Sequence, residues 1–464
     1  MFTLPAAEPR LGRRYHQLVV GQLSPRDRLA AGVHAPPGLL AEGFAATQAA
    51  WRFYGNDRVG LPVLAGPLVD HARRAVAEAC DARALVVLDW CNLHLNGHDA
   101  KADRVELSSG RDLGYELLTA LAVSDRDGSP LAPACLELRA AGGVHTTRSD
   151  GVVPAASVLD GVAPVMAHVA GLGLGRPPVF VIDREADSVA HYRAWSAAGH
   201  QYLVRANGAR RVLHDGVERP LSAVADGLRR GMARSRAVLY HGRPATQFVA
   251  ETTVLLTRPA YPKRAAAAAA GKKGRKGRKR PVIDGPALPL RLVVAEVRDD
   301  RGKVLARWLL LTNVAASVAP TEAVALWYYW RWRIESYHKL LKGAGQQAEA
   351  WRQESAGPFA RRLLVTAMAA VVAWRVARDD RPEAEPLRDL LVRLSGRQAD
   401  RARNKRGFTE PMLLAGLCVL VPMLVLLETT PLEEVRAAAA PIMEMIRAAR
   451  PPPNNGGGRS GRDV

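Results

Sequence analysis

The 464-residue chain carries 65 lysines and arginines against 45 aspartates and glutamates, a net charge of +20, with a sequence pI of about 10.4. Its length allows two or three domains and a sizeable core, and its charge favours a polyanionic partner, nucleic acid ahead of an anionic membrane surface. Four widely spaced cysteines, Cys80, Cys91, Cys135 and Cys418, form no C-x-x-C pair, which excludes a thiolate zinc site and a disulfide framework and fits a reducing cytoplasm.

The opening Met-Phe-Thr-Leu-Pro lacks a basic start followed by an apolar run, so no secretory signal is expected. Residues 1 to about 75 read as helical and basic, with Arg10, Arg13, Arg14, Arg26 and Arg28. Leu85-Val-Val-Leu-Asp89 reads as a fully buried strand ending on an acid. Tyr115–Val123 and Leu131–Ala140 read as strands joined by the turn-forming Asp125-Arg-Asp-Gly-Ser129. Ala156–Gly171 reads as an apolar helix, and Pro178–Asp183 as a second buried strand ending on an acid. A helix over Ser188–Ala198 and a strand over Gln201–Arg205 follow. The 152 residues from Asp183 to Glu335 are too many for one crossover, and their strand-like runs Phe248–Thr257, Leu290–Val297 and Val304–Thr312 predict a β-rich insertion at about 207–307.

Inside that stretch, Lys263–Arg280 holds nine basic residues and no acidic one. It reads as a loop that orders on nucleic acid through Lys272, Lys273, Arg275, Lys276, Arg278, Lys279 and Arg280; a solvated linker is the plainer reading. Wound as one helix, Tyr328, Arg331, Glu335 and Lys342 share an arc of about 60°. Leu326, Trp330, Ile334, Tyr337, Leu340 and Leu341 form an apolar stripe opposite. Thr321 after Pro320 is positioned to cap this helix, and Gly343 to stop it. Phe359–Val376 is a largely apolar helix. The uncharged Met412–Leu427, interrupted by Gly416 and Pro422, reads as a buried helix pair too short to span a membrane. The tail from Pro451 reads as disordered.

The order strand, strand, strand, helix, strand, helix, strand resembles the ribonuclease-H-like fold. That resemblance implies an α/β catalytic core over 76–380, flanked by an N-terminal helical DNA-binding domain (1–75) and a C-terminal helical region (381–464). Such folds place acids at the ends of the first and fourth strands and on a later helix, here Asp89, Asp183 and Glu335. Three carboxylates suit two-metal phosphoryl transfer with Mg²⁺ or Mn²⁺, two ions, as hard-oxygen partners. His94, His98 and Asp99 invite a zinc reading, but without a cysteine or third histidine at matching spacing a polar loop cluster is preferred.

Asp89 after Leu-Val-Val-Leu, Val181-Ile-Asp-Arg-Glu-Ala-Asp187 and the Tyr-x-x-Arg-x-x-x-Glu-x-x-x-x-x-x-Lys spacing from Tyr328 to Lys342 resemble the DDE transposases of the insertion-sequence-four group. Trp51-Arg-Phe-Tyr-Gly-Asn56, Trp308-Leu-Leu-Leu-Thr312 and the His338-Lys339 pair add to the likeness, which spans roughly 40–376. It implies that Asp89, Asp183 and Glu335 hold the metals and that Tyr328, Arg331, Lys342 and Lys339 meet DNA. It also implies that Trp308 stacks on a flipped base; an interior strand tryptophan is the alternative. Arg184 and Glu185 would support the acids or pair with each other. The implied partner is double-stranded DNA, both transposon ends and target, bound by a homodimer without membrane involvement. Trp90-Cys91-Asn92 departs from the Thr-Thr that often follows the first acid, and the likeness is weak after about 380. A catalytically inactive DNA-binding repressor and a ribonuclease-H-like nuclease without strand transfer are the rival readings.

Overall fold

The computed structural model describes residues 4, 8–23, 43–154, 157–240, 242–259, 284–343, 345–397 and 407–448. The basic positions Lys272–Arg280, Arg26, Arg28 and the tail from Pro451 lie outside the described residues. In chain order the first strands are β1 (Ala84–His94), β2 (Val105–Glu106), β3 (Leu113–Ser124), β4 (Pro130–Ala140), β5 (Gly143–Thr146), β6 (Val152–Val153) and β7 (Pro178–Ile182). Then come β8 (Gln201–Arg205), β9 (Arg211–His214), β10 (Val217–Pro220), β11 (Ala233–Tyr240), β12 (Arg243–Leu256), β13 (Leu288–Arg298) and β14 (Val304–Thr312). The helices are α1 (Pro9–Gln22), α2 (Gly43–Tyr54), α3 (Leu61–Ala79), α4 (Val162–Gly171), α5 (Val189–Ala197) and α6 (Leu221–Gly227). They continue with α7 (Thr321–Trp330), α8 (Arg333–Leu341), α9 (Ala356–Arg378), α10 (Ala384–Leu394), α11 (Glu410–Thr429) and α12 (Leu432–Ala448).

All these strands join one mixed sheet in the order β10-β9-β12-β13-β14-β8-β7-β1-β3-β4-β5-β6, with β11 on β12 and β2 on β3. Its centre is β1, β7 and β8, mutually parallel and in register from Ala84 opposite Pro178 to Leu88 opposite Ile182 and Val204. Leu85–Leu88, Val179–Ile182 and Tyr202–Val204 are wholly buried. Helices cover both faces, so these strands read as unbroken apolar runs rather than alternating ones. Each such side chain contributes roughly 1.5–3 kcal/mol by leaving water.

The stretch expected as a β-rich insertion carries β9–β13, and these strands extend the same sheet. Antiparallel pairing of β14 with β8, Leu310 opposite Arg205, carries the sheet outward through β13 and β12. The chain leaves β12 at Leu256 and rejoins β13 at the opposing Leu288. Following the registers back to β8 puts this exit at the start of β7 and β8, the end of the sheet away from Asp183 and Arg205.

α9 is the central helix of the core, with both apolar sides buried and α1, α3 and α11 packed on it. Its buried Arg361 donates to the Tyr54 and Val59 carbonyls and to Asp57, tying the N-terminal helices down. Met412–Leu427 is not a helix pair. It lies in the single helix α11, which passes through both Gly416 and Pro422. Gly416 is a point of close approach: a Cβ there would sit 2.2 Å from the Leu391 carbonyl oxygen on α10. α9 and α11 are both long and apolar enough to cross a membrane by length and composition, which corrects the expectation that the latter run is too short. The first half of α11 is buried, whereas Met423, Leu424, Leu426 and Leu427 beyond it are exposed.

Candidate active site

The parallel register of β1, β7 and β8 brings the first charged groups together. Leu88, Ile182 and Val204 stand side by side, so the next residue on each strand, Asp89, Asp183 and Arg205, reaches the same level. Asp89 is not at a strand end. β1 runs on to His94 along β3, and only its pairing with β7 stops at Leu88. Asp183 does end its strand, capping a short 3-10 turn by accepting the Arg184 amide at 2.6 Å.

The helical residues arrive from α7 and α8, which are two helices rather than the single helix expected. Arg331 and Trp332 form a tight turn between them, in which the amides of Arg331 and Ile334 donate to carbonyls three residues back, those of Tyr328 and Arg331. Pro320 occupies the N-cap position with no side-chain cap hydrogen bond, and Thr321, expected to cap, opens the first turn instead. The apolar stripe is buried at Trp330, Ile334, Tyr337, Leu340 and Leu341. Gly128, in the β3–β4 turn at φ +72°, lies against the Trp330 indole so closely that a Cβ would come within 2.3 Å.

Arg331 is the hub. Its Nη1 lies 3.1 Å from Asp89 Oδ2, and its Nη2 lies 3.3 Å from Asp183 Oδ2 and 3.2 Å from Glu335 Oε1. Tyr328 donates its hydroxyl to Asp183 Oδ1 at 3.0 Å, and Arg205 stands 3.7 Å from the same carboxylate. Sequence patterns did not single out Arg205; the parallel register is the signal that reveals it.

The two strand acids titrate in opposite senses. Burial pushes Asp89 up to about 6, against the pull of Arg331 and the Trp90 amide, with Asp183 and Glu335 adding repulsion. Burial also raises Asp183, but Arg331, the Arg184 amide, the Tyr328 hydroxyl and Arg205 outweigh it and leave the group below the ordinary carboxylate value. Burial lowers the Arg331 pKa, yet the surrounding acids more than reverse this, so the guanidinium is held charged. Burial and Asp183 keep the Tyr328 phenol protonated, far above its ordinary value.

Other expected site residues lie apart from this hub. Lys342 pairs with Glu349 at 3.2 Å and sits beside Cys91; at the C-terminal end of α8, two helical turns past Glu335, it stands roughly 10 Å further along the helix axis. Lys339 is exposed one helical turn beyond Glu335. Trp308 is only 5% exposed, its ring centroid 6.1 Å from Tyr328 and 6.3 Å from Trp332. It packs as an interior tryptophan, with little surface left for a base. Arg184 and Glu185 have exposed side chains. Asp187 is structural, bound to Arg210, the Tyr192 hydroxyl and the Asn207 amide.

The donor chemistry of Asp89, Asp183 and Glu335 fits hard divalent cations such as Mg²⁺ or Mn²⁺. Their oxygens converge on the guanidinium rather than on one another, and among the described residues no group of three or more His, Cys, Asp or Glu is gathered tightly enough to hold a metal ion. His94, the last residue of β1, and His98 in the loop after it are engaged by Asp112 and by the Glu349 carbonyl.

No family model and no curated protein matches the chain. Among solved structures it is similar to a piggyBac transposase synaptic complex with hairpin DNA determined by cryo-EM, at 9% identity and a TM-score of 0.36, over 98% of this chain and 78% of that one.

Proposed function

We propose that this chain is a DDE-type transposase, which binds the inverted-repeat ends of a mobile element, cleaves them, and joins the exposed 3′-hydroxyls to target DNA. One observation carries the reading: Asp89, Asp183 and Glu335, from segments far apart in sequence, converge on one buried arginine. The strand order β4-β3-β1-β7-β8, with β1, β7 and β8 parallel and β3 and β4 antiparallel, is that expected of a ribonuclease-H-like core and supports it. So does the net charge of +20.

In this reading Asp89, Asp183 and Glu335 hold two Mg²⁺ or Mn²⁺ ions, whose chemistry activates a water or 3′-hydroxyl and stabilises the leaving oxygen. The protein's own groups do the positioning. Tyr328 fixes the Asp183 carboxylate through its hydroxyl, Arg205 adds positive charge beside it, and the exposed Lys339 meets a backbone phosphate next to Glu335. The substrate is duplex DNA, ends and target, bound by two copies of the chain.

The reading is tested by replacing Asp89, Asp183 or Glu335 with Ala. Each variant is expected to lose cleavage and strand transfer while keeping end binding, since affinity rests on phosphate contacts elsewhere. A variant that cuts at the wild-type rate removes that acid from the site. Wild-type protein that cuts without joining ends is a nuclease, and one that binds without cutting is a repressor.

A further inference from the structure

Three arginines among the described residues are buried to 6% exposure or less: Arg331, Arg361 and Arg362. Arg361 is pinned by two backbone carbonyls and Asp57. Arg362 lies over the Trp351 ring at 4.3 Å and donates to Gln353. Arg331 differs from both. Its side-chain hydrogen bonds and ion pairs go to the three acids alone; its Nε, like that of Arg362, is buried with no hydrogen-bond partner. The Tyr328 ring, 5.9 Å from Cζ, is its other neighbour of note. Arg361 and Arg362 are held by backbone carbonyls, an amide side chain and a ring; the Arg331 guanidinium is instead shared among three carboxylates.

The charges give the arrangement a direction. Three carboxylates face one guanidinium, with Arg205 beside a single member of the group. Full ionisation leaves the cluster acidic, so it attracts a further cation. Yet Asp89 Oδ2, Asp183 Oδ2 and Glu335 Oε1, the oxygens such a cation needs, are those that Arg331 already binds. Cation and guanidinium exclude one another at these atoms.

We propose that Arg331 is a displaceable countercation: it holds the three acids together until divalent cations take their oxygens, and the freed guanidinium then turns to a substrate phosphate. This rests on the reading of the three acids as cation ligands. Cation entry and phosphate binding are thereby coupled, because each favours the conformation in which Arg331 has left the acids, and the coupling is reciprocal. A protein without bound DNA has no phosphate to offer the guanidinium, so its cation affinity is held down.

The test needs no turnover. Ca²⁺ and Mn²⁺ are titrated calorimetrically into full-length wild type, Arg331→Gln and Arg331→Lys in the absence of DNA, and each protein is melted in chelator. Arg331→Gln is expected to bind either cation about tenfold more tightly than wild type, since no guanidinium need be displaced. It should also melt lower in chelator, where its carboxylates repel, and regain stability with cation. Arg331→Lys, which keeps the charge but not the three-way fork, should fall between. It gives the same comparison should Arg331→Gln not fold. Cation binding to Arg331→Gln or Arg331→Lys that is equal to or weaker than wild type overturns the proposal. If that wild-type binding is abolished by Asp183→Ala, the acid site itself survives. Binding in wild type that is absent, or indifferent to Asp183→Ala, removes the acid site and the proposal together.

Discussion

Asp89 and Asp183 stand on neighbouring strands and share Arg331, yet their surroundings split their acidity. Asp183 collects an amide, a hydroxyl and two guanidinium groups, while Asp89 has one amide and one guanidinium against heavier burial. Between its ordinary 3.8 and about 6, folded Asp89 holds a proton that the unfolded chain has released. Its ionisation therefore costs stability as pH rises through that window, fully above about 6 and not at all below 3.8. Asp183 runs the other way: its stabilisation is present above its unfolded pKa and lost as pH falls through its folded one. In chelator at pH 8, Asp89→Asn should thus raise stability by on the order of 2 kcal/mol, and Asp183→Asn should lower it. Denaturant melts from pH 3.5 to 8 check both, and a parallel effect of the two substitutions would refute the split. The acids were legible in the sequence because each strand acid follows an apolar run. Arg205 was not, since only the strand register shows that it stands level with them.

At the scale of elements, the buried strands and α9 were legible because their apolar runs admit no other placement. The path from α7 to α8 was not, since residues on both sides of a tight turn keep a helical spacing in the sequence. Counting at 100° per residue brings Tyr328, Arg331 and Glu335 to one side, and they do meet at the hub; Lys342, two turns past Glu335, pairs with Glu349. α11 misled for a different reason. Glycine reads as a breaker, yet at Gly416 it admits the Leu391 backbone of α10, and the helix continues. Gly416→Ala should lower stability by about 1–3 kcal/mol through overpacking, read as a lower melting temperature; an unchanged one would mean that the two helices separate freely. Trp308, wedged against Tyr328 and Trp332, belongs to the same packing. Trp308→Ala should cost about 3–5 kcal/mol and depress first-strand nicking and hairpin formation together. Intact nicking and melting temperature with hairpin formation alone reduced would instead assign the ring to a flipped base.

Across the whole molecule, charge and chemistry are distributed differently along the sheet. The acids lie where β7 and β8 end, whereas the chain bearing Lys272–Arg280 departs and returns at Leu256 and Leu288, level with where those strands begin. Removing residues 272–280 deletes seven basic side chains and leaves untouched the strands that carry the acids. For every DNA phosphate these side chains neutralise, their removal should take about 0.9 from the slope of log affinity against log salt on duplex DNA. The truncated protein should therefore bind DNA more weakly at moderate salt and converge on wild type at high salt, as screening cancels the difference. On saturating DNA its cleavage rate should match wild type, because the deletion leaves the acids and Arg331 unchanged. Binding isotherms over a salt series, paired with cleavage at saturation, separate the possibilities. An unchanged slope would make this segment a linker that does not touch DNA. A flattened slope with a slowed saturated rate would mean that the segment also orders DNA at the acids, at the other end of the sheet from where it leaves the fold.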